Sequence, residues 1–169
     1  MSTCPTLLLC SSLSYTPNGI QLGRNPWQCA ISDSAAPINI THSLKGSAIY
    51  PISSTTGVVH LVLPTAPNGN TTITKLSIDL ASTEAHISKI QISYSDDLMY
   101  DSADDSGKSN LKFSNSVNTL DISNLTAAAV QDGQIGNGIS VAITIIFKHA
   151  DPSKSSLSIW SLGALFNSS

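Results

Sequence analysis

Charge is what this chain has least of. Only 11% of its residues are Asp, Glu, Lys or Arg, against about 25% in a typical domain. With 8 Lys and Arg and a net charge of −3, no basic patch large enough to hold a nucleic-acid backbone or an anionic membrane can form. Aromatic residues are also scarce, at 5%, so most are needed for a core. The three cysteines, Cys4, Cys10 and Cys29, are odd in number and lack CxxC spacing, which argues against a disulfide framework and a zinc site alike. No run approaches the 18 or so apolar residues of a membrane span. The opening MSTCPTLLLCSSLS has no basic n-region, is interrupted by Pro5 and has too short an apolar run for a signal peptide. The expectation is therefore a cytoplasmic protein, with the sequons at Asn39, Asn70, Asn124 and Asn167 arising from a Ser/Thr/Asn-rich composition.

Serine, threonine and asparagine take the place of the missing charges, and Ile, Leu and Val are regularly spaced among them. The clearest pattern is GISVAITIIFK at 138–148. Ile139, Val141, Ile143, Ile145 and Phe147 fall on one side of an extended chain, and Ser140, Ala142, Thr144 and Lys148 on the other, with Ile146 the only large intruder there. This period-2 pattern with β-branched residues on the apolar side marks a strand with one face in a core. Thr74, Leu76, Ile78 and Leu80 alternate in the same way within 72–81. Ile90, Ile92 and Tyr94 follow in 86–94, where Ile87 is out of register and predicts a bulge near Ser88 or Lys89. These two segments, separated by Ser82-Thr83-Glu84, read as a hairpin. Residues 57–63 and 157–166 are apolar on both faces, and the second is expected beside 139–147. Residues 95–110 read as an acidic loop with Leu98 and Met99 folded back. Shorter strands are expected at 6–14, 27–31, 38–41, 46–52, 111–113 and 120–122, and 125–130 is the only helix-like run.

At 169 residues the chain is long enough for one self-sufficient core. Turn signals every 8–12 residues predict an all-β domain spanning 1–169. Its architecture is a two-sheet antiparallel β-sandwich of about nine or ten strands with at most one short helix, and a jelly roll is one arrangement that fits. From 46 to 166 the order of features resembles a family of small, functionally uncharacterised β-sandwich proteins. The resemblance is carried by LPTAP at 63–67, KLSIDLASTEAHISKIQISYSD at 75–96, NGISVAITIIF at 137–147 and LGALF at 162–166. It implies a fold and supplies no active site.

Candidate chemistry is sparse. No G-x-S-x-G elbow, GxGxxG turn or P-loop is present. The cluster Asp96, Asp97, Asp101, Asp104 and Asp105 offers hard oxygens for calcium, but its spacing is not that of an EF-hand, and a solvated loop is preferred. No metal or other cofactor is expected. His60 stands inside an apolar strand. With His86, Asp79 or Glu84 converging on it in a cavity it could serve as a general base, although a hydrogen-bonded histidine beside the core is the commoner outcome. Trp27, Tyr50, Tyr94 and Trp160 are candidates for stacking on a ligand. The leading expectation is a non-catalytic binding or interaction protein for a small molecule, glycan or protein partner. The alternative is a cofactor-independent cyclase or isomerase using the histidine and carboxylates. Unguarded strand edges predict a homo-oligomer.

Overall fold

A computed structural model describes residues 12–16, 19–24, 31–43, 46–63, 71–94, 97–103, 113–122 and 139–168. These residues form twelve strands: β1 (Ser12–Thr16), β2 (Gly19–Arg24), β3 (Ile31–Ser32), β4 (Ile38–Ser43), β5 (Gly46–Pro51), β6 (Thr56–Leu63), β7 (Thr71–Thr83), β8 (Ala85–Tyr94), β9 (Asp97–Asp101), β10 (Val117–Asp121), β11 (Ile139–Phe147) and β12 (Ser156–Ser168). No helix occurs among the described residues, and the helix-like run at 125–130 lies outside them.

The strands form two antiparallel sheets. Sheet B runs β3-β6-β11-β8-β9. In sheet A the long β12 pairs with β7 along most of its length. On its other flank it pairs first with β5 and then with β2, while β4, β1 and β10 lie outermost. Omitting β1 to β4, the order β5-β12-β7-β10 faces β6-β11-β8-β9, and successive strands switch sheets except at the β8–β9 hairpin. That is the jelly-roll connectivity, and the β-sandwich expectation holds.

The organising strand behaves as its pattern requires. Along β11 burial alternates strictly, and Val141, Ile143 and Ile145 are wholly buried. They meet Leu76, Ile78, Leu80, Leu157 and Ile159 from sheet A in one continuous aliphatic core. Among the described residues the buried polar side chains are only Ser47, Ser102 and Ser155. Ser102 shows how these are tolerated: its Oγ accepts the Ile90 N–H at 2.9 Å while its own N–H donates to the Ile90 carbonyl at 3.0 Å, so no buried polar group there is stranded.

Three expectations are corrected. First, β7 and β8 do not form a hairpin: β7 belongs to sheet A and β8 to sheet B. Glu84, at φ 48°, carries the chain across the sandwich, and a short break between alternating segments looks the same in sequence for either geometry. Its backbone carbonyl accepts the Lys148 N–H at 2.8 Å and its carboxylate pairs with Lys148 Nζ at 2.7 Å, which ties the corner to the end of β11. Second, β12 faces β11 across the core instead of pairing with it, because the jelly-roll chain changes sheet between them. Third, the acidic stretch is not wholly loop. Asp97–Asp101 forms β9 on the edge of sheet B. Met99 packs against the core, while Leu98 stays exposed. The expected bulge is present: Thr144 pairs with Lys89 and Ile145 with Ile87, skipping Ser88.

Candidate functional site

Because strand residues alternate between faces, burial assigns each candidate to a surface. His60 lies between Val59 and Leu61, both in the core, so its ring emerges on the outer face of sheet B. Its Nε2 is 3.0 Å from Asp33 Oδ2. Asp33 follows β3, and its other oxygen accepts the Ala35 N–H at 2.7 Å. The bond to His60, aided by that N–H, holds the Asp33 carboxyl below the usual carboxylate range. Asp33 is the partner that sequence reasoning did not supply. The pair is 27 residues apart, and nothing in a Ser-Asp-Ser turn announces a distant histidine.

Across the same outer face, three strands away, Asp101 of β9 pairs with Lys89 at 2.8 Å and accepts from the Gln91 amide at 2.8 Å. Burial pushes this carboxyl up, but the Lys89 contact, the Ala103 N–H and Gln91 outweigh it and hold it below its ordinary value. Between the two ionic clusters lie Val58, Val62, Ala142 and Ile146, with the hydroxyls of Ser140 and Thr144 among them, all half-buried. The face is therefore a strip of aliphatic and hydroxyl side chains flanked by charge at both edges.

The other expected catalytic residues are not beside His60. Asp79 sits between core residues Ile78 and Leu80, so its carboxylate projects from the outer face of sheet A, on the far side of the sandwich. Glu84 is engaged with Lys148 at the corner, which lowers its carboxyl. His86 is exposed on β8 opposite Ile146, whereas His60 lies opposite Ala142. Four residues along β11 separate their rows, about 13 Å at ~3.3 Å per residue.

The outer face of sheet A has a different chemistry. Tyr50 follows core residue Ile49, and Trp160 follows core residue Ile159, so both rings belong to this face. Trp160 is 42% exposed. It occupies a bulge, since Ile159 pairs with Leu80 and Ser161 with Asp79, leaving Trp160 unmatched. Gly46 begins β5 beside this bulge at φ 150°, with the Ile159 carbonyl and the Trp160 Cα where a Cβ would stand. That close approach admits only glycine. Around the two rings the face carries hydroxyls from Thr41, Ser77, Thr119, Ser156, Ser158 and Ser161, with the Asp79 carboxylate among them. Sequence reasoning named both rings but had no means of placing them on one face.

Of the remaining candidates, Tyr94 lies in β8 and Trp27 lies outside the described residues. So do Asp96, Asp104 and Asp105, while Asp97 and Asp101 bound β9. Among the described residues no three His, Cys, Asp or Glu side chains gather as a metal site would require, and no helix is long and apolar enough to cross a membrane.

No protein-family model matches the chain, and no curated protein matches it. Several solved structures resemble it in shape, and two show how distantly. One is a Stig cyclase, Fisc, from Fischerella sp. TAU, at 10% identity and a TM-score of 0.42, covering 98% of this chain and 93% of that one. The other is the tandem CBM51 modules of a family 98 glycoside hydrolase from Streptococcus pneumoniae, at 9% identity and a TM-score of 0.36, covering 87% and 47%. At such scores neither likeness carries an argument about this chain, whose fold rests on its own strand order.

Proposed function

We propose that this protein is a non-catalytic binding module and that its ligand is a glycan received on the outer face of sheet A. The observation that carries this reading is the pair Tyr50 and Trp160 on one hydroxyl-covered face. Sugar C–H groups pack on the electron-rich face of an aromatic ring, and neighbouring hydroxyls and the Asp79 carboxylate offer the donors and acceptors that sugar hydroxyls require. Pairing of Ile49 with Leu157 sets Tyr50 level with Ser156, four residues from Trp160. The rings are then about 13 Å apart along the strands, which suits an oligosaccharide better than a single sugar.

The non-catalytic part of the reading draws on the interior. Its described lining is aliphatic apart from Tyr100, Phe147, the partly buried Phe113 and the serines Ser47, Ser102 and Ser155, and the histidine and carboxylates considered for catalysis lie on outer surfaces. The enzymatic alternative retains one favourable observation, the Asp33–His60 pair. The experiment is a glycan array followed by titration calorimetry. Trp160→Ala is expected to weaken binding at least tenfold and Tyr50→Ala to weaken it less, with His60→Ala unchanged. Binding that survives Trp160→Ala and is lost in His60→Ala would transfer the site to sheet B.

A further inference from the structure

The structure carries an inference about assembly through β4. Sheet edges expose unpaired N–H and C=O groups, and proteins guard them with short strands, charge, proline or bulges. Four outer strands are guarded or brief. β3 has two residues. β9 begins and ends in aspartate and meets β8 through a bulge. β10 ends in Asp121. β1 has five residues, SLSYT, and is bounded by Pro17 as β4 is by Pro37. β4 is the longest of these outer strands, at six residues. It reads Ile-Asn-Ile-Thr-His-Ser, rich in β-branched side chains, and residues 34–44 contain no Lys, Arg, Asp or Glu. Among the described residues β4 pairs only with β5.

Backbone directions along β4 can be read from one bond. Ile38 lies opposite Pro51, yet its N–H donates to Ser32 Oγ at 2.9 Å, so it points away from β5. By the alternation of an antiparallel ladder, the N–H and C=O of Ile40 and His42 point away from β5 as well. Asn39, Thr41 and Ser43 face inward to Tyr50, Ala48 and Gly46. The Ile38 end of the edge is closed by Ser32, and the Ile40–His42 end is where another strand can add.

We propose that the occupant is β4 of a second copy, paired antiparallel across a two-fold axis at Thr41. Cross-strand partners must share a sheet face, which restricts the two-fold to a residue position. Centring it on Thr41 pairs Ile40 with the partner's His42 and the reverse, using both outward-pointing residues in each copy and leaving the Ile38–Ser32 bond intact. The absence of charge on β4 means that self-pairing brings no like charges opposite one another. Sheet A then continues across the dimer, and its two outer faces stand side by side. The inference does not depend on what that face binds.

The test is light scattering on the full chain across micromolar concentrations, with hydrogen exchange on the same samples. A dimer of twice the 17.7 kDa chain is expected, with the Ile40 and His42 amides protected. Thr41→Lys sets two lysines together at the axis. It should give a monomer with an unchanged circular dichroism spectrum and fast exchange at those two amides. Thr119→Lys, on the opposite edge strand, should remain dimeric. A monomer at every concentration, or a dimer that survives Thr41→Lys, would overturn the proposal.

Discussion

The two outer faces of this sandwich are built on the same alternation and end in opposite chemistry. Sheet B turns out Val58, Val62, Ala142 and Ile146, with the hydroxyls of Ser140 and Thr144, between the Asp33–His60 and Lys89–Asp101 pairs, so its charged groups there satisfy one another. Sheet A turns out serines and threonines, the Asp79 carboxylate, the exposed Val117 and two aromatic rings, the larger lifted out by a bulge, with Lys75 opposite Asp121 near its β10 edge. A face whose charged groups are mutually paired has less left to offer a ligand. A face of hydroxyls with an exposed indole offers both hydrogen bonds and stacking. Low overall charge is thus distributed unevenly, and the contrast decides which face is the candidate site.

The sharpest way to break this comparison is to show that a supposedly outer residue is structural. Ile143→Ala removes a wholly buried side chain and is expected to cost about 2–5 kcal/mol. Thr144→Ala, on the outer side of the same strand, is expected to cost under about 1 kcal/mol. Equal shifts in denaturant midpoint would mean that the outer face of sheet B is covered by another layer.

Next in size is Asp101, whose side chain is only 9% exposed. Its carboxyl is held below its unfolded value, so the stabilisation is present above the unfolded pKa of about 4. It is lost as pH falls through the folded value. Asp101→Asn should cost about 1–2 kcal/mol at neutral pH and flatten the acid limb of stability against pH. An unchanged acid limb would show that the sheet B cluster is not electrostatically stabilising. A smaller effect is expected from Trp160→Ala, which should change the melting temperature little while removing ligand affinity, because the indole is exposed. A loss of several degrees would make Trp160 a packing residue and weaken the contrast between the faces.

Much of the fold was legible because period-2 patterns report burial directly. The strand 139–147, the inward set Leu76, Ile78 and Leu80, and the bulge at Ser88 all follow from which side chains are apolar. Sheet membership was not legible. The corner at Glu84 and the pairing of β12 with β7 depend on long-range contacts that leave no local trace. The site divides the same way. Tyr50 and Trp160 stood out as rare aromatics, but their common face depends on β5 pairing with β12. Asp33, a turn residue by composition, became the His60 partner only through the return of the chain along β6.

The most direct test of the central claim is to titrate the isotope-labelled protein with an oligosaccharide selected on the array and follow backbone and indole resonances. Shifts are expected at Tyr50, Ser156, Ser158, Trp160 and Asp79, with His60, Lys89 and Gln91 unmoved. Shifts concentrated at His60, Ala142 and Gln91, with Trp160 silent, would contradict it.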